Sequence, residues 1–233
     1  MFAPFRAFKN AVLLDEEEHQ DLKIKKPENY EFMKEVEVVP LGFSELVSAT
    51  MFYPVMIGVQ QGEYFPFAIL GINRKNVFID ENGNFKVEPI PKICQLYPFS
   101  VIKTRLEDGK EEWNVIVDLA CKDENGERIF DDFGGETPFF SEVKKELTEL
   151  AIDLQKASEF CKELLELNCI KSINLKINSK YGEVNLKNIY IIDIENLRRI
   201  SPEKLYYLNT SGYLPILYAI YYSVRNFKLF DLL

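Results

Sequence analysis

The feature that most constrains this chain is a stretch of more than forty residues, Phe139 to Tyr181, without a single Gly or Pro. Within it, Phe140, Val143, Leu147, Leu150, Leu154, Ala157, Cys161 and Leu164 recur at alternating spacings of three and four. That period places them on one face of an α-helix. Ser141 as cap and Glu142 in the first turn predict the start. Twenty-eight helical residues would extend about 42 Å. Such a stripe fits either a coiled-coil partner or the chain's own sheet. Further apolar positions at Ala151, Phe160, Leu165 and Leu167 widen it, which favours burial in the core.

The residues before this helix have the other period. Strand-like runs cover Val55 to Val59, Phe65 to Ile72 and Val77 to Ile79. Asp80-Glu81-Asn82-Gly83 recurs as Asp123-Glu124-Asn125-Gly126, and Asn-Gly between apolar runs predicts a hairpin. Asp108-Gly109 predicts a third, joining Val101–Leu106 to Trp113–Leu119. In the latter strand Trp113, Val115, Val117 and Leu119 share a face, so Asp118 shares the opposite one with Ile116 and is expected partly inward. Ser44 is expected to cap a short helix ended by Pro54. After the long helix, Ile173, Leu175 and Ile177 alternate with polar residues, and Tyr181-Gly182 turns into Val184–Ile194. Ser201-Pro202 starts a helix that Gly212 ends, and a last helix is predicted from about Leu214 to Phe230. Hairpins, one long amphipathic helix and C-terminal helices, without βαβ alternation, define an α+β fold with an antiparallel sheet. At 233 residues this is one domain, 1–233, with possible sub-lobes 1–135 and 136–233 divided near the Gly134-Gly135 pair.

Charge and residue inventory restrict function. The net charge is −9 and no Lys/Arg run occurs, which argues against nucleic acid. Cys94, Cys121, Cys161 and Cys169 have no metal or redox spacing and read as reduced thiols of a cytoplasmic protein. The apolar run Ala11–Leu14 is too short and too close to acids for a secretory leader. Leu205–Val224 is uncharged, but Asn209, Gly212 and Pro215 break it, so no membrane span is expected. His19 is the single histidine, so multi-histidine metal sites cannot form within the chain. It follows four acids and reads as a surface turn residue. Phosphate-binding glycine motifs are missing, and the acidic stretch Asp123–Glu136 fails the calcium-loop pattern. The candidate binding residues are therefore His19, Tyr97, Asp118 and Asp131, with no metal and no cofactor implied.

A series of short blocks, in order, resembles the SapC family. They are Val39-Pro40-Leu41, Tyr53-Pro54-Val55, Phe67-Ala68-Ile69-Leu70-Gly71, Asn76-Val77-Phe78-Ile79-Asp80, Ile90-Pro91, Tyr97-Pro98-Phe99, Arg128-Ile129-Phe130-Asp131, and Ser223-Val224-Arg225-Asn226-Phe227. His19 also stands where the family tends to carry a histidine. The resemblance extends from about Leu13 to Leu229. It departs from the family at Phe85, where Trp is usual, and at Gln95-Leu96, where a basic pair is usual. It implies an association with bacterial surface layers and assigns no catalytic residue. The expectation is a cytoplasmic binding or accessory protein for surface-layer or secreted-protein biogenesis, with a surface-layer or export component as partner. The competing expectation is an enzyme using carboxylates, tyrosines or a bound cofactor. A third, weaker one is a subunit of the surface layer itself.

Overall fold

The computed structural model describes residues 6–105 and 110–233. The Asp108-Gly109 turn lies outside the described residues, but the strands it was expected to join do pair. Numbered in chain order, the strands form two main antiparallel sheets. A three-stranded sheet has the order β1-β9-β8, from β1 (Ala11–Leu13), β8 (Phe99–Arg105) and β9 (Glu111–Asp118). A five-stranded sheet has the order β11-β12-β4-β5-β3. It takes β3 (Val38–Pro40), β4 (Val55–Gln60) and β5 (Glu63–Ile69) from the first half of the chain. From the second half it takes β11 (Ile170–Ser179) and β12 (Gly182–Ile192). Two small pairs complete the set, β2 (Lys23–Ile24) with β10 (Glu127–Arg128), and β6 (Gly71–Ile72) with β7 (Lys75–Asn76).

Short α1 (Leu46–Ala49) and α2 (Lys92–Gln95) precede the long helix α3 (Pro138–Glu166), which touches both main sheets through β5 and β8. The whole predicted stripe from Phe140 to Leu164 is buried, so α3 is a core helix. Of the widening positions, Ala151 and Phe160 are buried and Leu167 half-buried, whereas Leu165 is exposed. The helix begins earlier than expected. Thr137, not Ser141, is the cap, accepting the Phe140 N–H at 3.3 Å. Pro138 follows at the first helical position, where its fixed φ suits the turn and its missing N–H costs nothing. The Ser141 N–H already donates to the Thr137 carbonyl.

Beyond the helix, β11 and β12 pair as expected around Gly182, whose φ is +109°. Short α4 (Ile194–Leu197) leads to α5 (Pro202–Thr210), capped by Ser201, and Gly212 at φ +76° separates it from α6 (Tyr213–Ser223). The predicted final helix is not continuous: Val224–Lys228 tightens to a 3-10 turn before α7 (Leu229–Leu232). Among the described residues no helix is long and apolar enough to cross a membrane.

Several turns differ from the hairpin pattern. Asp80–Gly83 does turn, with Gly83 at φ +82°, but Ile79 and Phe85 form only one bridge and Val77–Ile79 is not a strand. The Asp80 carboxylate closes this loop by accepting the Asn84 N–H, competing with a ladder. After Asp123–Gly126 the chain does not return to β9; β10 pairs with β2 instead. Gly126 permits this, since a Cβ there would lie 2.5 Å from the Ile24 carbonyl carbon. Ser44 caps no helix: its N–H and hydroxyl both bind Asp153, and α1 starts at Leu46.

Candidate functional site

Strand phase puts Asp118 inward at the end of β9, and the structure buries it completely. Its carboxylate accepts four hydrogen bonds. One oxygen takes the Asn10 N–H at 2.9 Å and the Ala120 N–H at 3.0 Å. The other takes the Lys9 N–H at 2.8 Å and the Tyr97 hydroxyl at 2.9 Å. Burial alone would raise this carboxyl's pKa, but the donors outweigh it and hold the group below the ordinary carboxylate range. The Tyr97 phenol moves the other way, pushed up by burial and by its bonds to Cys121 and Asp118. The Cys121 thiol donates to the Tyr97 oxygen at 3.5 Å. Burial raises this thiol, so it is a poor thiolate. The arrangement clasps the segment before β1 onto the β8–β9 hairpin.

The aromatic body of Tyr97 faces a second task. It stacks on Phe32 with ring centroids 3.9 Å apart and 18° between planes, and Phe8 meets its edge at 5.3 Å. Phe32, with buried Ala7 and Val36, lines a half-open cleft of about 680 Å³. Arg6, Lys9, Lys34 and Arg74 supply its positive charge, and Glu31 and Glu35 its negative charge. Lys34 bonds Glu31 at 2.7 Å and Arg74 bonds Glu35 at 2.5 Å. The Lys34 ammonium holds the Glu31 carboxyl below its ordinary range. Tyr97 and Asp118 therefore stand behind the cleft without lining it. A second concavity of about 550 Å³ runs between α3 and the β8–β9 hairpin, with Val101, Val115, Leu147 and Ala151 among its apolar lining.

The other candidates lie elsewhere. Half-buried His19 closes its own turn, its Nδ1 accepting the Asp15 N–H at 3.1 Å. Asp131 folds its own loop, accepting the Phe133 and Gly135 N–H groups, both at 2.8 Å. The neighbouring acids Asp132 and Glu136 pair with Arg128 and Lys144. Among the described residues no three His, Cys, Asp or Glu side chains gather as a metal-ligand set.

Sequence reasoning missed Glu45. Burial pushes its carboxyl above the ordinary range, against hydrogen bonds from the Lys92 and Gly42 N–H groups at 2.9 and 2.8 Å. A glutamate among Ser44, Leu46 and Val47 gives no local sign of burial, because the groups that act on it include Lys92 and Asp153, far away in sequence. The four cleft cations were missed for the same reason: they come from separate segments.

Antiparallel sheets packed on a long core helix define the architectural class, an α+β protein with a clasped N-terminal segment. Comparison with protein families then places the chain: residues 14–229 match SapC, and the chain belongs to the SapC family. No curated protein matches it. No solved structure matches it either.

Proposed function

We propose that this chain is a cytoplasmic binding protein, an accessory of bacterial surface-layer or secreted-protein biogenesis that works by holding a protein partner. One observation carries the reading. On α6 and the turn after it, Pro215, Tyr218, Tyr222 and Arg225 follow at spacings of three, four and three, and all are exposed. Arg225 lies over the Tyr222 ring at 5.2 Å. Tyr206 on the neighbouring α5 is also exposed, at 71%. Tyrosine offers a large, rigid contact area at small entropic cost, and both tyrosine and arginine are enriched in protein interfaces. The surface-layer association comes from the family, and the aromatic face supplies a place for the contact.

The state of the strongest acid–base candidate supports binding over catalysis. Asp118 is held charged by four donors, and with Tyr97 it sits behind the cleft. Affinity capture of the tagged chain from its own host, compared with a Tyr218→Asp/Tyr222→Asp variant, tests the reading. Enrichment of a surface-layer or export component that disappears in the variant is the expected result. Equal recovery of that component by both forms would remove the aromatic face from the reading. Unchanged surface-layer assembly and secretion after deletion of the gene would end it.

A further inference from the structure

We propose that the cleft beside the N-terminal segment binds a small organic phosphate, a phosphate monoester carried on a flat apolar group. This inference is independent of the partner contact on α6. In a chain of net charge −9, four cations from three separate segments converge on one concavity with only two carboxylates in its lining. The lining holds two more cations than carboxylates, of which Glu37 just outside it offsets one through Arg6, and a phosphate monoester presents more acceptor oxygens to such a set than a single carboxylate does. The existing Lys34–Glu31 and Arg74–Glu35 pairs are exposed surface pairs, which contribute little and exchange readily for a better acceptor. A phosphate offers three acceptor oxygens, and the arginine fork binds two of them at once.

The cations are placed rather than scattered. Glu37 bridges two of them, with one oxygen accepting the Arg74 N–H at 3.2 Å and the other the Arg6 guanidinium at 3.2 Å. Arg74 itself has φ +60° and follows Asn73 at φ +52°, a left-handed pair that residues with a Cβ rarely adopt. Asn73 is fixed there by its side-chain bond to the Tyr181 carbonyl at 2.7 Å. Asp118 sets the backbone of Lys9, whose ammonium has no ion-pair partner among the described residues. Behind these groups the Tyr97 stack stiffens Phe32 as an apolar wall. A volume of about 680 Å³ exceeds what inorganic phosphate needs and suits a small organic molecule.

The test is calorimetric titration of the full chain with phenyl phosphate at low ionic strength. It is repeated on a Lys9→Gln/Arg74→Gln variant and on a Lys156→Gln control at the other concavity. Both cleft residues are exposed, and thermal unfolding checks that each variant keeps its fold. Saturable binding is expected, weakened about tenfold or more in the double variant, unchanged in the control, and reduced by added salt. Benzoate and inorganic phosphate should each bind more weakly than phenyl phosphate. Flotation with phosphatidic-acid vesicles, lost in the same double variant, would support the phosphate chemistry and place it on a lipid headgroup. Equal affinity of the wild type and the double variant, or no saturable heat with phenyl phosphate, overturns the proposal. Benzoate binding as tightly as phenyl phosphate would also overturn it.

Discussion

Replacing Asp118 by Ala should unclasp the N-terminal segment at a large cost in stability. The substitution leaves three backbone N–H groups and the Tyr97 hydroxyl without their acceptor. A hydrogen bond to a charged group contributes about 1.5–3 kcal/mol, but four on one carboxylate are not additive. Each neutral donor left unsatisfied in the interior costs about 1–3 kcal/mol, and four that share one acceptor should together cost about 3–5 kcal/mol. For a chain of this size the melting temperature should fall by roughly 10 °C. Asp118→Asn keeps one carbonyl oxygen and turns an N–H₂ toward the Lys9 and Tyr97 donors, so it should lose about half as much. Urea unfolding at neutral pH measures both, with the midpoint shifting at constant slope. Hydrogen exchange should accelerate at the Lys9 amide in both variants and at the Asn10 amide chiefly in Asp118→Ala. A loss below about 1 kcal/mol for Asp118→Ala would refute the reasoning, because the carboxylate would then not be holding the segment.

Acid should act through the same group. Its folded pKa lies below its unfolded one, so its stabilisation is present above the ordinary carboxylate range and is lost as pH falls through the folded value. Unfolding midpoints against pH should therefore drop on acidification less steeply in Asp118→Asn than in the wild type. Glu45, with its raised folded pKa, contributes in the opposite sense and loses its stabilisation as pH rises through the folded value. On α3, Leu154→Ala should cost about 2–5 kcal/mol and Ile152→Ala, on the exposed face, less than about 1 kcal/mol; similar values would contradict the assigned core face. Gly126→Ala must move the Ile24 backbone and should cost about 1–3 kcal/mol by thermal or urea unfolding. Gly212→Ala meets no atom within 4 Å and should cost only about 1 kcal/mol of left-handed backbone strain, so equal losses at the two glycines would be wrong for this packing.

Local pattern made parts of this structure legible and left others silent. The buried face of α3 follows from its three-and-four spacing, and the β8–β9 and β11–β12 pairs from alternation and turn residues. Asp118 was readable as inward because strand phase tied it to Ile116. Its partners were not, since Lys9 and Asn10 lie more than a hundred residues away. The helix α3 starts earlier than Ser141 predicts because Thr137-Pro138, a cap followed by Pro at the first helical position, is the stronger start signal. The pairing of β2 with β10 left only Gly126 as a trace, and a glycine after Asn reads as a hairpin turn. The cleft is legible nowhere in sequence. Arg6, Lys9, Lys34 and Arg74 are each ordinary surface cations until Asp118 and Glu37 bring their segments together.

The five-stranded sheet draws strands from both sides of the Gly134-Gly135 turn, and β12 meets β4 at the Tyr190–Ile57 pair. The hairpin tip is strapped to the earlier half as well, through Asn73 on the Tyr181 carbonyl, while Asp231 takes the Lys180 N–H. A polypeptide severed at that turn would thus leave two pieces, each holding an incomplete share of a single sheet. Such pieces should be poorly soluble alone and should recombine on mixing into a nicked but native-like whole. The chain would then serve as a split reporter, with reassembly read by recovery of near-ultraviolet dichroism from its buried aromatic rings.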